Sequence, residues 1–336
     1  RDSVKLQHST SLPFLEVEKG RISNIESGTL PPPNHLSASF VRANFLGLGD
    51  KISMQKAVQA IQSTTDEKRQ DLDDLSFQEW LEINGQSKRA ISRFWNPISK
   101  LALNVDSSKS SAASAIFLFR KALLGKANAL DVGCFTNDFS SAVSSSLRRT
   151  LAASGVEVHL SSSATSLFRE AGIVTGVKTR EAFFAADRVI ICTPIAETAR
   201  LLTGSSASIK SHEVAENLAK LGNTSQIGIH AFHEGPILPE GIPFVTCCDE
   251  PMIQMLFDRS GELDDGNRDG LPGHWICTPV SHADDYLHWD DELIQTEYER
   301  VIGSAFPNSP ALLEFHVVRK NRSATSMTTG SQRLRP

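Results

Sequence analysis

The chain of 336 residues lacks the features that mark two large classes of protein. It contains no apolar run approaching the roughly 18 residues of a membrane-spanning helix. It also lacks a block of basic residues, since 34 Lys and Arg stand against 39 Asp and Glu and the formal net charge is -5. Clustered basic side chains are the usual footprint of nucleic-acid binding. The composition therefore predicts neither a membrane span nor a nucleic-acid partner, and leaves peripheral contact with a membrane open.

Cysteine is scarce, and its spacing suits neither disulfides nor zinc. No CxxC pair occurs, and the number of cysteines is odd, which predicts reduced thiols and therefore an intracellular protein. The expected location is the cytoplasm, a membrane surface or an organelle. Neighbouring residues of a strand point to opposite faces, so Cys247 and Cys248 are poorly arranged for one metal ion. His274, His282 and His288 match no zinc-ligand spacing, and we predict no metal site. The five cysteines are Cys134, Cys192, Cys247, Cys248 and Cys277.

The common catalytic and phosphate-binding motifs are missing from the sequence as well. "GLGDKI" at Gly47 lacks the third glycine of GxGxxG and does not follow a strand. The chain has no Walker loop, no GxSxG nucleophile motif and no HExxH zinc motif. These absences leave the catalytic residues unassigned.

Helical patterns occupy much of the first third of the chain. Ser76 and Glu79 are spaced as in a capping box, and Asn84-Gly85 predicts the end of that helix. The next helix has an apolar stripe that includes Trp95, and Pro97 should kink it because proline supplies no backbone N–H. A further helix is predicted over residues 110–124.

The pattern changes near residue 131 and becomes typical of an α/β protein. A helix ending at Ser154-Gly155 is followed by a predicted strand at Val156–Leu160 and a hairpin-like meander. The run Val189–Cys192 is apolar on both faces, as a covered parallel strand should be, and Pro194 ends it. This order of elements favours α/β architecture.

Strand patterns dominate elsewhere. Two short strands are predicted around Gly20, and four more between Gln226 and Thr278, with a spacing that suits an antiparallel sheet. A last helix is predicted over residues 290–306, with acidic residues at its positive N-terminal end. The tail after Arg322 has no period and is predicted to be loose. The fold class is therefore mixed α/β (α+β).

Six short segments, spread in order over residues 29–325, carry recognisable motifs. They are "TLPPPNHL" from Thr29, "FWNPISKLALN" from Phe94, "GVEVHLSSSAT" from Gly155, "ADRVIICTPIAETARLL" from Ala186, "MIQMLFDRSG" from Met252 and "VVRKNRSAT" from Val317. Together they resemble hydroxysqualene dehydroxylase, a squalene-associated family within the FAD-dependent amine oxidase and phytoene desaturase superfamily. Met255 stands where that family usually has tryptophan.

The resemblance implies a fold with an FAD/NAD(P)-binding-type three-layer domain and a substrate domain. The family's opening strand–GxGxxG–helix and its closing flavin-covering segment have no counterpart here, so the chain is expected to be truncated at both ends and the FAD domain incomplete. The implied organisation is a mostly helical substrate segment at 1–130, part of the FAD-binding domain at 131–205, an antiparallel-sheet substrate segment at 206–300, and a return towards the FAD domain with a loose tail at 301–336.

The resemblance also implies the activity, namely FAD-dependent reductive dehydroxylation of hydroxysqualene to squalene in isoprenoid biosynthesis. An apolar terpenoid substrate predicts an apolar cavity. Trp95, Asn96, Pro97 and Asn104 are the expected cavity residues. Val158, Ala164, Thr193 and Pro194 are the expected contacts of FAD. Asp258, Glu250 and His230 are candidates for the general acid, with none preferred.

Two other functions remain open from the sequence. The flavin could work in the oxidative direction, as in a phytoene-type desaturase or an amine oxidase, although the two tyrosines of the chain, Tyr286 and Tyr298, supply an aromatic amine cage poorly. The missing GxGxxG motif also allows a non-catalytic, truncated paralogue that binds lipid or a partner. For the chain as given, on its own, inactivity is expected.

Overall fold

The structure, a computed structural model, divides into two compact units. The large unit comprises Arg1–Ala142 and Asn223–Thr329, and the small unit comprises Val143–Gly222 and Gly330–Pro336. The domain boundaries implied by the resemblance stay a prediction, because compactness does not identify a cofactor domain. The residues described are 6–9, 11–126, 132–135, 140–204, 208–260 and 273–336.

The described residues form twelve strands. They are β1 (Leu6–Ser9), β2 (Ser11–Glu16), β3 (Arg21–Glu26), β4 (Val132–Phe135), β5 (Ser166–Glu170), β6 (Ile173–Lys178), β7 (Phe183–Ala185), β8 (Asn223–His233), β9 (Phe244–Cys248), β10 (Met255–Asp258), β11 (His274–Ser281) and β12 (Leu312–Thr325).

Eleven α-helices are present in the part of the chain described. They are α1 (Ser37–Arg42), α2 (Leu48–Ser63), α3 (Asp66–Gln70), α4 (Phe77–Ile83), α5 (Lys88–Ala90), α6 (Asn96–Leu103), α7 (Ala112–Leu118), α8 (Ser146–Ala153), α9 (Ile195–Leu202), α10 (Ile209–Lys220) and α11 (Asp291–Ala305). Short π-helical segments join α5 to α6 (Ile91–Trp95), follow α7 (Phe119–Leu123) and precede α8 (Ser140–Ser145). The predicted mixture of helices and strands, hence the mixed α/β class, is confirmed.

The predicted limits of α4 are confirmed by its capping contacts. Ser76 Oγ accepts the Glu79 amide at 3.2 Å, and the Glu79 carboxylate accepts the Ser76 amide at 2.9 Å, which is the capping box. The helix ends at Ile83, and Gly85 follows with φ +75, a left-handed conformation that glycine adopts without strain. Local sequence chemistry is sufficient to define both ends of this helix.

Pro97 produces the predicted irregularity one turn before its own position. Because proline has no N–H, the carbonyl of Arg93, four residues earlier, loses its helical partner. The chain responds with π-helical geometry at Ile91–Trp95, where the Asn96 amide bonds to the Ile91 carbonyl. The freed Arg93 carbonyl accepts the Cys248 thiol of β9 at 3.7 Å. The proline thereby creates a contact between helix and sheet.

Seven strands of the large unit form one sheet, in the order β12-β8-β11-β10-β9-β2-β3. The pairs among β8 to β11 are antiparallel, as predicted, and β2 runs parallel to β9. The predicted hairpin of β2 and β3 turns at Gly20, whose φ is +58. A Cβ there would lie 2.5 Å from the Ala305 carbonyl oxygen, so only glycine fits. β1 and β4 form a separate antiparallel pair.

The seven-stranded sheet has a buried core on one face. Side chains alternate along a strand, so Ile227, Ile229 and Ala231 of β8 share that face. They pack into an apolar cluster with Tyr298 and Val301 of α11, both fully buried. Helix α11 begins as predicted, because Asp290 Oδ1 accepts the Leu293 amide at 2.8 Å.

The helices α1 to α7 have a second core of their own. Phe14 of β2 stacks on Phe45 with ring centroids 4.6 Å apart, and Phe94 meets Phe14 at 5.7 Å. All three side chains are fully buried. Helices and the β2 end of the sheet are therefore joined by aromatic packing.

The small unit contains the three-stranded sheet β5-β6-β7 with α8, α9 and α10. The predicted strands at Val156–Leu160 and Val189–Cys192 are wrong, since neither segment is assigned as a strand. Ile190 is 88 % exposed, which also contradicts a covered strand. An apolar run forms a strand only when neighbouring strands take its hydrogen bonds, and the described residues offer these segments none.

The C-terminal tail and the cysteines were also the subject of predictions from the sequence. The chain does not become loose at Arg322, because β12 pairs with β8 as far as Thr325. Cys192, Cys247, Cys248 and Cys277 form no disulfide in the described part of the chain, and the side chain of Cys134 lies outside that part. Among the helices that the structure describes, none is long and apolar enough to cross a membrane.

Candidate functional site

The face of the large sheet opposite the α11 core carries a row of aromatic and polar side chains. His230 lies near the middle of β8, with Cys277 of β11 and His316 of β12 directly across from it on either side. Phe232 and Trp275 form the next cross-strand pair, and their rings stack with centroids 6.1 Å apart. We call His230, Phe232, Trp275, Cys277 and His316 the aromatic face. His230, Trp275 and Cys277 are half-buried, so the face is accessible at its centre.

Contacts fix the protonation of His230. Trp275 Nε1 donates to His230 Nδ1 at 3.2 Å, so Nδ1 is the acceptor and a neutral imidazole carries its proton on Nε2. Burial lowers the pKa of His230, and the positive charges of His316 and Arg259 lower it further. At neutral pH His230 is therefore uncharged and has an N–H to donate.

The guanidinium group of Arg259 lies beside the aromatic face. Its guanidinium carbon lies 5.7 Å from the centre of the Trp275 ring, in cation–π range. At the edge strand, His316 lies 3.2 Å from Glu314, so that carboxylate has a partner of its own. The five residues of the aromatic face carry no carboxylate and its central imidazole is neutral, which suits a neutral ligand better than an ammonium group.

The other two candidate acids lie away from the aromatic face. Asp258 is the residue after Phe257 on β10, and its carboxylate accepts the Ser260 amide at 2.9 Å. It lines an open cavity of about 520 Å³ together with His274 and a proline-rich turn. Glu250 forms an ion pair with Arg300. Of the three candidates named from sequence, His230 alone belongs to the aromatic face.

Trp95, predicted to line a substrate cavity, lies inside the helical core. Its side chain is 1 % exposed and packs edge-on against Phe94 and Phe119, with centroids 5.0 and 4.9 Å away. The indole N–H donates to Gln86 Oε1 at 2.9 Å. Pro97 is buried next to it in α6. These contacts are structural, and a role in lining a substrate cavity stays a prediction.

The side chain of Asn96 binds the segment that follows α6. Its Nδ2 donates to Asp106 Oδ2 at 3.2 Å, and its Oδ1 accepts the Ser107 amide at 2.8 Å. Both amide functions of this side chain are therefore used within the large unit.

Asn104 connects three parts of the large unit. It ends α6 in a left-handed conformation with φ 53, which asparagine tolerates better than most residues. Its Nδ2 donates to Thr224 Oγ1 of β8 at 2.5 Å, and its Oδ1 accepts the His282 amide at 2.9 Å. The side chain is 4 % exposed. Both polar functions of the Asn104 side chain bind other residues of the large unit, and its predicted role in the substrate cavity stays a prediction.

The four residues predicted to contact FAD lie in the small unit. Val158 is 50 % exposed, Ala164 is half-buried, and Thr193 and Pro194 are exposed just before α9. Arg200 of α9 donates to the Ala164 carbonyl at 3.0 Å. The Thr193 hydroxyl lies 2.9 Å from that of Thr198 in the same helix. Both predicted cofactor segments are thus attached to α9.

The same segments carry backbone and side-chain groups that can contact a flavin dinucleotide. Residues 157–163 and 187–193 make no backbone–backbone hydrogen bond to any described residue. The Thr193 carbonyl accepts the Thr198 hydroxyl at 3.1 Å, and the other backbone N–H and C=O groups of these segments lie beside exposed aliphatic side chains such as Val158 and Ile190. A flat ring with polar edges requires this combination. The residues present therefore fit FAD, and the individual contacts stay a prediction.

Comparison with protein families decides the class of the chain. Residues 3–336 match the flavin-containing amine oxidoreductases. The chain belongs to this family. The prediction of an FAD-dependent oxidoreductase within the amine oxidase superfamily is thereby confirmed. Among curated proteins, none matches the chain.

Solved structures of the same fold agree with the family. An oxidoreductase from Methanosarcina mazei has 15% identity and a TM-score of 0.67, over 98% of this chain and 73% of its own. Putrescine oxidase bound to putrescine has 16% identity and a TM-score of 0.67, over 98% and 73%. Cyclohexylamine oxidase from Brevibacterium oxydans IH-35A has 13% identity and a TM-score of 0.64, over 98% and 72%. At such identities the likeness shows the fold alone.

Proposed function

We propose that this flavin-dependent oxidoreductase acts on a long isoprenoid, and that its reaction is the reductive dehydroxylation of hydroxysqualene to squalene. The proposal is supported by the six motifs in order over residues 29–325, which resemble the hydroxysqualene dehydroxylase family. A member of the amine oxidase superfamily need not oxidise an amine, because one fold hosts several chemistries.

The aromatic face is the observation that carries the proposal. Its central groups are the neutral imidazole of His230 and the Trp275 ring, and the cation beside them is Arg259. None of the five residues of the aromatic face carries a carboxylate with which an ammonium group of a diamine could pair. A hydrocarbon with one hydroxyl brings no charge, packs on the rings and offers an oxygen to a hydrogen-bond donor.

The proposed dehydroxylation has two chemical requirements. The substrate hydroxyl must leave with a proton as water, and the carbon that carried it must gain a hydride. When bound, fully reduced FAD would supply the hydride and, on becoming oxidised FAD, release the proton with which the hydroxyl leaves as water. His230 Nε2–H donates a hydrogen bond to the departing hydroxyl oxygen, while the rings on either side keep bulk water from the cation left behind.

The test uses the protein expressed with its natural flanking sequence. Its visible absorption spectrum should show bound flavin. Hydroxysqualene is then added anaerobically to the chemically reduced protein, and squalene is measured by gas chromatography with mass spectrometry. We expect one squalene per flavin oxidised. A flavin-loaded protein that returns hydroxysqualene unchanged would overturn the substrate assignment, and a colourless protein that takes up no FAD would favour a non-catalytic role.

A second candidate, amine oxidation, is favoured by membership of the flavin-containing amine oxidoreductases. The same protein preparation distinguishes amine oxidation from dehydroxylation. Oxidised protein is mixed with putrescine, cyclohexylamine or phytoene in air, and hydrogen peroxide and desaturated products are measured. Peroxide with an amine would identify an amine oxidase, and a desaturated polyene would identify a phytoene-type desaturase.

A further inference from the structure

One surface of the large unit combines exposed aliphatic side chains with basic ones. Val41, at the end of α1, is 70 % exposed, and Leu48 and Ile52, one turn apart on α2, are 77 % and 62 % exposed. Lys56 continues the same stripe one turn later, because residues four apart share a helix face. Arg42 is exposed next to Val41. We call Val41, Arg42, Leu48, Ile52 and Lys56 the basic-apolar patch.

The two helices of the patch are held together at this point. Lys51 Nζ donates to the Val41 carbonyl at 2.7 Å, so the end of α1 is attached to the first turns of α2. Between the helices lies an apolar cleft of about 170 Å³ lined by Phe40, Met54 and Val58, with Val41 and Lys51 at its side. Val41 of the patch therefore borders a concave apolar surface.

The charge that the patch presents is positive. Between residues 27 and 65 the sequence contains one acidic residue, Asp50, and it is 8 % exposed. Its carboxylate accepts the Gly47 amide at 2.8 Å and the Ser87 hydroxyl at 2.5 Å, and Arg89 lies 3.8 Å away. That single negative charge is used inside the structure, while the cations of Arg42 and Lys56 face outwards.

We propose that the basic-apolar patch docks the protein on the surface of an anionic phospholipid bilayer. Aliphatic side chains on an interfacial helix enter the boundary between headgroups and acyl chains, and basic residues beside them attract anionic headgroups. A second copy of the chain fits less well. A two-fold contact sets each patch against itself, which would bring Arg42 and Lys56 close to the same cations of the partner.

The proposal is independent of which isoprenoid the enzyme transforms, and its test does not measure turnover. The protein, expressed with its natural flanking sequence, is mixed with sucrose-loaded vesicles of phosphatidylcholine alone or with about one third phosphatidylglycerol, and the sedimented fraction is measured. We expect binding to the anionic vesicles that weakens as salt rises. No binding, or equal binding to both vesicle types, would overturn the proposal.

Substitutions in the basic-apolar patch test whether this surface binds the vesicles. Leu48→Glu with Ile52→Glu should abolish sedimentation with anionic vesicles. Arg42→Ala with Lys56→Ala should weaken it on the order of 25-fold, from about fivefold for each cation removed. Ile83→Glu is the matched control, because Ile83 is 74 % exposed at the end of α4 and outside the patch.

Each variant is checked by its flavin spectrum and by its molar mass in solution. Unchanged vesicle binding in the Leu48/Ile52 variant would place the membrane contact elsewhere and refute the patch. A wild-type dimer that becomes a monomer in the same variant would show a second copy as the occupant, and would equally refute it.

Discussion

Tyr298 of α11 is hydrogen-bonded to His233 of β8 inside the large unit, with Tyr298 Oη 2.9 Å from His233 Nε2. The phenol is fully buried and the imidazole is 2 % exposed. His233 Nδ1 lies 3.1 Å from the Pro310 carbonyl, which can only accept, so Nδ1 carries the proton and Nε2 accepts from tyrosine. Burial lowers the pKa of His233 and raises that of Tyr298, so both groups are neutral in the folded protein.

The neutral state of His233 predicts a loss of stability in mild acid. Its pKa is lowered from an ordinary value of about 6.5 by burial, so below that pH the unfolded chain binds a proton that the folded chain refuses. The free energy of unfolding should fall as pH drops from 7 to 5, by at most ~1.4 kcal/mol per pH unit for this group.

Urea unfolding at several pH values measures this slope. His35, His230 and His282 also have lowered pKa values through burial, so His233→Gln should reduce the slope without removing it. The exposed His212→Gln is the matched control and should leave the slope as it is. An unchanged slope in His233→Gln would contradict the prediction.

Tyr298→Phe should destabilise the large unit. The substitution keeps the ring and leaves His233 Nε2 buried without its donor, at a cost of about 1–3 kcal/mol. Tyr286→Phe is a matched control, because Tyr286 is half-buried and its hydroxyl makes no hydrogen bond to a described residue. Chemical denaturation of both variants gives the comparison. Equal losses would mean that the hydrogen bond between α11 and β8 contributes nothing.

Asn104 allows its conformation and its hydrogen bonds to be measured separately. Asn104→Gly retains the left-handed backbone and loses the bonds to Thr224 and His282, which should cost about 2–3 kcal/mol. Asn104→Ala loses the same bonds and also strains the backbone, by roughly 1 kcal/mol more. If alanine proved as stable as glycine, the φ of 53 would not be a constraint at this position.

The cysteines should differ sharply in reactivity. Burial raises the pKa of Cys248 to about 12, with help from Asp249, and burial also raises that of Cys247. Cys192 is exposed. Brief treatment of the native protein with iodoacetamide at pH 8, followed by mass spectrometry, should find label on Cys192 and none on Cys247 or Cys248. Cys192→Ser should remove that label, and early labelling of Cys248 would contradict its contact with the Arg93 carbonyl.

His230→Phe tests the aromatic face within the proposed function. Removing the Nε2–H donor should slow squalene formation on the order of 100-fold while leaving the flavin spectrum unchanged. His274→Asn is the control, because His274 is one residue from Trp275 on β11 and so lies on the opposite face of the sheet. Full activity in His230→Phe would remove His230 from the mechanism.

Much of the fold could be predicted because its signals are local. The capping box of Ser76 and Glu79, the stop at Gly85 and the irregularity before Pro97 depend on residues within a few positions of one another, and all three are confirmed. The strands β8 to β11 were also predicted, since alternation within each strand is local. Their register was not, because it depends on contacts between distant parts of the chain.

The sequence by itself determined the limits of α4, the start of α11, the runs that became β8 to β11 and, through its motifs, the flavoenzyme family. Tertiary structure decided which runs became strands and which residues met. Val189–Cys192 has the composition of a buried strand and remains unpaired among the described residues, because pairing needs a neighbour that composition cannot supply. Likewise His230, Trp275 and His316 are far apart in sequence, and only antiparallel register brings them onto one face. The propensity to form a helix or a strand is a property of one segment, whereas a functional site depends on contacts between segments that are distant in sequence.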